Sequence, residues 1–208
     1  MVELSAELLL RAYAIGVFPM AQDRDSDVVH WIDPHMRGVI PLDRFHVSRS
    51  LKKSLLRADY TVHLNRDFRR CVTACADREE TWINDEIAQA YDALHARGYA
   101  HSVEIWDENQ MVGGVYGVAL GAAFFGESMF SRRRDGSKLA LAWLVARLRN
   151  GGFTLFDTQF QTDHLRSLGA IQISRDEYHK QLEHALSETA YIDTMPQTYT
   201  AETLFRGS

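Results

Sequence analysis

Residues 100–131 read AHSVEIWDENQMVGGVYGVALGAAFFGESMFS, and this run decides the fold. Apolar and small residues fill three segments, Ala100–Trp106, Met111–Val118 and Ala122–Met129, each of strand length. The polar Asp107–Gln110 stretch between the first two is a turn, so they form a hairpin. Downstream, Ser137 is expected to cap an apolar helix carrying Leu141, Leu144, Val145 and Leu148, which Gly151-Gly152 ends. Phe153–Asp157 follows as an almost wholly apolar run, the mark of a strand buried on both faces. Two helices are expected after it, near Asp163–Leu168 and Ser174–Leu186, and then a polar tail of little order from Ser187.

Upstream, Ser5 is placed to cap a helix with Leu8, Leu9, Ala12 and Tyr13, and Gly16 to end it. Val17 to Pro34 reads as irregular, with Pro19 and several aspartates. A short strand is expected over Val39–Leu42, a helix from Ser48 to Arg57, and a strand over Tyr60–Leu64. Further helices start at Asp67, with Phe68, Cys71, Val72 and Cys75 on one face, and at Asn84, with Ile87, Tyr91 and Leu94 inward and Gly98 closing it. Helices, then an antiparallel meander, then helix, strand, helix is an α+β order with a mixed, mostly antiparallel sheet flanked by helices. It is also the order of the acetyltransferase-like (GNAT-like) acyltransfer fold, an analogy of fold. Residues 1–33 are too few to fold alone and read as a small piece docked on a main domain, 34–208.

Composition narrows the function. The 208 residues are 46% hydrophobic and 25% charged, with a net charge of −5. An acidic chain is ill suited to coat nucleic acid without regard to sequence, although one local basic patch remains compatible. No apolar run reaches the ~20 residues of a membrane span, and the N-terminus carries no basic segment of a secretory leader, so the cytoplasm is the expected compartment. Two cysteines spaced i, i+4 lack a second Cys/His pair, so no metal is expected. Neither GxxxxGK(S/T) nor GxGxxG after a strand occurs, so no nucleotide cofactor is expected. A reaction here must bring its activation in the substrate.

Three constellations remain. Arg49, Lys53 and Arg57 recur along one helical face, which suits either a phosphate backbone or plain solvation; Arg132, Arg133 and Arg134 are a second such cluster. Glu127 lies inside the aromatic and Met-rich FFGESMFS and needs a cation, either a nearby arginine or a cationic substrate. Phe124 and Met129 around it have the character of an apolar pocket. Asp157 and Gln159, at i, i+2 on the buried strand's C-terminal end, are expected on one side of it, where carboxylate and amide can hold an amine and a carbonyl. As a helix cap, Asp157 would be structural only.

Taken together, LLLRAYAIGVFPM, FHVSRSLKKS, DREETWI, AHSVEIWDENQMVGGVYGVALG, FFGESMFS and FDTQFQTDHLRSLGA resemble the leucyl/phenylalanyl-tRNA–protein transferase family, from about Leu8 to Ala170. The resemblance implies transfer of Leu or Phe (Met being tolerable) from aminoacyl-tRNA to the α-amino group of proteins beginning with Arg or Lys, marking them for N-end-rule degradation. It implies that Asp157 and Gln159 are the catalytic pair and that Glu127 holds the acceptor's cationic side chain. Trp82 matches a residue that stacks on the terminal adenine, Phe124 and Met129 the aminoacyl pocket, and Arg49, Lys53 and Arg57 the tRNA-body patch. Where the family often has a second stacking tryptophan, this chain has Met20. Val115 replaces a common methionine, the glycine often found before Thr81 is absent, and the N-terminal piece is shorter. No cofactor or membrane is implied, and a monomer is expected. Two readings compete: an acetyl-CoA-dependent N-acetyltransferase, for which Arg133–Lys138 is an incomplete pyrophosphate loop, and a non-catalytic tRNA-binding module.

Overall fold

The computed structural model describes residues 4–26, 28–57, 59–195, 200–202 and 204. Helix α1 (Ala6–Ala14) starts where Ser5 accepts a hydrogen bond from the Leu8 amide and stops before Gly16, whose φ of +84° only glycine takes without strain. The next stretch corrects the sequence reading. Instead of an irregular segment, Phe18–Ala21 (β1) and Val29–Ile32 (β2) pair antiparallel in a separate two-stranded ribbon. Such a ribbon is marginal alone. Burial of Phe18 and Ala21 in the main core holds it, a cause no local pattern displays.

Strand β3 (Met36–Val39) begins three residues before the expected Val39, and Pro41, which has no N–H to donate, closes the segment. Helix α2 (Arg49–Arg57) is capped by Ser48 and buries Leu51 and Leu55; β4 spans Thr61–Leu64. Asp67 caps α3 (Phe68–Ala76) and Asn84 caps α4 (Asp85–Ala96), both with the inward faces expected of them. The meander is β5 (Ala100–Asp107), β6 (Gln110–Leu120) and β7 (Ala123–Ser131). Ser137 is expected to cap helix α5 (Gly136–Gly151), but the helix begins two residues earlier than that cap would set, after a left-handed Asp135. The reason is tertiary: Gly136 lies against the Gly113 backbone of β6, and the Ser137 amide already donates to Ser131 Oγ. Then come β8 (Leu155–Gln159), α6 (Asp163–Arg166), β9 (Ile171–Ser174) and α7 (Arg175–Ser187). Strand β9 is absent from the sequence reading. It is four residues long, largely exposed, and defined only by its pairing with β3 at the sheet edge.

Seven strands form one sheet in the order β4-β5-β6-β7-β8-β3-β9, and only β7 and β8 run parallel. The fold is thus α+β with a mixed, mostly antiparallel sheet flanked by helices. One face carries α1, α3, α4 and α7 over a core that includes Tyr13, Tyr91, Tyr116 and Phe125. The other carries α5 and α2 over Val115, Phe124, Phe156 and Leu144. Adjacent Phe124 and Phe125 fall in opposite cores because side chains alternate along β7. Burying each such side chain contributes about 1.5–3 kcal/mol. Little order is expected beyond Ser187, yet Ile192 is buried in the second core; residues 196–199, 203 and 205–208 lie outside the described residues.

The detail that positions the site is where β7 and β8 part. They pair from Ala123↔Leu155 to Phe125↔Asp157 and no further, although both strands continue. A gap therefore opens at their C-terminal ends. There β7 bulges against β6, with Tyr116 opposite Ser128 and Gly117 opposite Gly126, so Glu127 is the extra residue between two pairs.

Candidate active site

Glu127 turns from this bulge toward the α1/α4 face. It is buried, with 8% of its surface exposed. Tyr13 from α1 donates to its Oε1 (2.7 Å), Tyr91 from α4 donates to its Oε2 (2.7 Å), and Gln159 Nε2 from β8 donates to Oε1 (3.0 Å). The two phenol oxygens are also 2.6 Å apart. These three oxygen contacts close a triangle, and three hydrogen bonds need three protons. Two phenols supply two; a neutral Glu127 supplies the third by donating to one phenol, which then donates to the other, whereas an ionised Glu127 accepts from both. Burial pushes Glu127 toward the neutral form, up to about 7 from 4.5, against the opposing pull of its three donors and with help from the Asp157 charge. Burial, then the Glu127 charge, pushes both phenols well above their usual range.

Asp157 is wholly buried one step deeper. Arg37 from β3 grips it with two bonds, Nε to Oδ1 (2.9 Å) and Nη2 to Oδ2 (2.6 Å). Tyr178 from α7 donates to Oδ2 (2.8 Å) and the Gln159 amide to Oδ1 (2.8 Å). Every acceptor position is taken. The Arg37 guanidinium, 1% exposed, lies between the rings of Phe18 and Tyr178, 4.7 and 4.3 Å from their centroids, and donates to Gly16 O. Asp157 is not a helix cap. Its bond to the Gln159 amide holds Gln159 in a left-handed conformation, φ +63°, which ends the strand. That turn, rather than strand alternation alone, brings the Gln159 side chain to Glu127.

The structure brings together Asp157, Gln159 and Glu127 of the residues singled out in the sequence. Trp82 is half-buried at the margin of the same core, beside buried Thr81. Met20 is half-buried on β1, two residues beyond Phe18. Phe124, Val115 and Met129 form a group of their own on the opposite face: Val115 pairs with Met129 across the ladder, and Phe124 packs edge-on against Phe153 and Phe156. Arg49, Lys53 and Arg57 are exposed along α2, which packs on α5. The arginines near Glu127 do not neutralise it. Arg132 pairs with Asp77, and Arg133 with Asp59 and Asp107. The cavity of about 530 Å³ beside Arg44, Lys52 and Arg149 is lined by other residues.

Sequence reasoning missed Tyr13, Tyr91, Arg37 and Tyr178. Tyr13 and Tyr91 read as ordinary inward positions of helices, and nothing local tells a core tyrosine from one that holds a carboxyl. Arg37 had a signal: an acid in an apolar strand demands a buried cation, and Arg37 is the cation of a short strand. Cys71 and Cys75 are buried; the Cys71 thiol is pushed up by its bond to Cys75 and by burial. Among the described residues no group of three or more His, Cys, Asp or Glu is placed to hold a metal. No helix among them is long and apolar enough to cross a membrane.

The chain is similar throughout to known proteins. The family model "Leucyl/phenylalanyl-tRNA protein transferase" matches residues 39–183, and that of its N-terminal domain matches residues 2–35. A protein of Cereibacter sphaeroides (strain KD131) named leucyl/phenylalanyl-tRNA–protein transferase is 59% identical over 199 residues, covering 96% of this chain and 92% of that protein. One of the same name from Jannaschia sp. (strain CCS1) is 57% identical, covering 93% and 92%. Among solved structures, FemX superposes with a TM-score of 0.54 at 13% identity, over 81% of this chain and 66% of FemX, a likeness of fold alone. On sequence, fold and extent of match together, this chain belongs to the leucyl/phenylalanyl-tRNA protein transferase family.

Proposed function

We propose that the protein transfers Leu or Phe from aminoacyl-tRNA to the free α-amino group of proteins that begin with Arg or Lys, in the cytoplasm, as a monomer and without a cofactor. Membership of the family supports the reaction class. One structural observation carries the acceptor reading: a buried carboxyl at the strand gap, held by Tyr13, Tyr91 and Gln159, has no cation among its described partners. An incoming guanidinium or ammonium supplies the missing charge and lets Glu127 release its proton, a charge-assisted contact.

An ester attacked by an amine needs no ATP. A free α-amine, with pKa near 7.7–8.0, is roughly a tenth to a fifth neutral at pH 7, so catalysis is chiefly orientation. Gln159 orients the amine and the ester carbonyl through its amide. Asp157, with every acceptor position engaged, acts on Gln159 rather than on the substrate: its bond to the Gln159 amide sets the turn that aims the side chain. Trp82 stacks on the terminal adenine, a contact worth ~1–3 kcal/mol, and Met20 offers a weaker thioether face. The aminoacyl side chain passes through the gap toward Phe124, Met129 and Val115. Arg49, Lys53 and Arg57 touch the tRNA body. Residues 1–33 form an appendage that completes the site of domain 34–208.

The test is transfer of radiolabelled Leu and Phe from charged tRNA to peptides beginning with Arg, Lys, Asp or Ala. Transfer to Arg and Lys alone is expected. Transfer to Asp in place of Arg and Lys would sink the Glu127 assignment, and tRNA binding without transfer to any peptide would leave a binding module.

A further inference from the structure

Among the described residues, Arg49, Lys53 and Arg57 on α2 have no carboxylate partner, and neither has Arg134. Five other surface arginines do have one: Arg69 pairs with Asp92, Arg97 with Glu7, Arg132 with Asp77, Arg166 with Asp163 and Arg175 with Asp33. What distinguishes these cations, in a chain of net charge −5, is their clustering. Three of them surround one notch. Lys53 and Arg57 on α2 face Arg134 across a cavity of about 480 Å³, with the hydroxyls of Ser50 and Ser54 on its wall. Asp135, the acid at its edge, already accepts from Ser54 Oγ (2.8 Å) and lies 3.9 Å from Lys138. Like charges gathered around a concavity repel one another until an anion sits among them.

Position says which anion. Arg134 lies three residues past the end of β7, at the end of the sheet where β7 and β8 part and where Glu127 and Gln159 meet. From Glu127 to Ser131 the strand covers ~13 Å. A ligand that fills the notch and reaches the gap is an extended polyanion of a few units.

We propose that this notch binds a backbone phosphate at the point where the single-stranded 3′ end leaves the tRNA body, and that Arg134 is the tRNA-binding residue linking the α2 patch to the aminoacyl site. The inference rests on the aminoacyl-tRNA reading given above. Arg134 offers the planar fork that grips a phosphate with two bonds, and Lys53 and Arg57 add charge.

Arg134→Ala tests it with two donors: phenylalanyl-tRNA, and the phenylalanyl ester of adenosine alone, which has no phosphate to place in the notch. The expected result is a KM for the tRNA raised about threefold to tenfold, with the salt dependence of tRNA binding lowered by about 0.7 in log–log slope. The KM for the adenosine ester stays within about twofold. Arg134→Glu, which repels the phosphate, deepens the loss for the tRNA only. An unchanged KM for the tRNA overturns the proposal, as does an equal loss with both donors, which would mean damage to the site itself. A raised KM for the acceptor protein with the tRNA unaffected overturns it in favour of an acidic protein surface. Wild-type protein inactive with both donors would sink the aminoacyl-transfer reading instead; the retention of uncharged tRNA on filters by wild type and Arg134→Ala then still judges the notch.

Discussion

Glu127 holds its proton to about pH 7, whereas an ordinary glutamate loses it near 4.5. Between those values the folded chain carries a proton that the unfolded chain has released, so this group makes stability fall as pH rises from 4.5 to 7 and then level off. At about 1.36 kcal/mol per unit, the effect is on the order of 3 kcal/mol. Glu127→Gln keeps a neutral group of similar size and removes the slope. The stability of the variant relative to wild type is therefore expected to improve between pH 5 and 8 in urea unfolding; a gap that ignores pH refutes the assignment. In transfer assays the same variant should raise the KM for an Arg peptide about tenfold or more, with the tRNA donor little affected. Arg37 is the second test at this scale. Arg37→Gln leaves Asp157 buried without its cation, which typically destabilises by about 3–5 kcal/mol. For a chain of this size that is roughly 6–20 °C in melting temperature by calorimetry. A shift of a degree or two would mean that Asp157 finds another partner.

At the scale of elements, the junction of β6 with α5 decides where the site's edge lies. Gly113 on β6 and Gly136 at the start of α5 touch backbone to backbone, and a methyl on Gly113 runs into the Gly136 backbone. Backbone cannot rotate aside as a side chain does. Gly113→Ala is expected to destabilise by about 1–3 kcal/mol in denaturant unfolding and to push the Arg132–Asp135 turn outward. Unchanged stability would show that the turn gives way freely. This contact also explains why α5 starts before Ser137: the approach of two strand and helix backbones, not capping chemistry, sets its first residue. Elements with strong local signals behaved as their residues dictate. Ser5, Ser48, Asp67 and Asn84 all accept from the first-turn amides they were placed to meet. The ribbon β1–β2 and the edge strand β9 carry no such signal, since each exists only through its partner strand or the core beneath it.

At the scale of the whole molecule, the first 33 residues reach the centre of the site: Tyr13 donates to Glu127, Gly16 accepts from Arg37, and Phe18 stacks on it. Removal of residues 1–33 is expected to abolish transfer and to lose the cooperative melting of the remaining chain, read by circular dichroism; retained transfer would show that these residues are dispensable. The sequence by itself determined the α+β class, the antiparallel meander with its hairpin, most helix starts, the oddity of Glu127 in an apolar stretch, and the place of Asp157 and Gln159 at the end of a buried strand. It could do so because alternation, helical spacing and caps act between residues close in the chain. What only the tertiary structure decided is who neutralises and holds these acids. Glu127 faces Tyr13 and Tyr91 from two distant helices, and Asp157 faces Arg37 and Tyr178 from β3 and α7. The same holds for the separation of the Phe124 group from Glu127 by the sheet, and for the meeting of Arg134 with α2. Those partners lie tens of residues apart, and the sheet order and the parting of β7 from β8 bring them together; no interaction between chain neighbours encodes either.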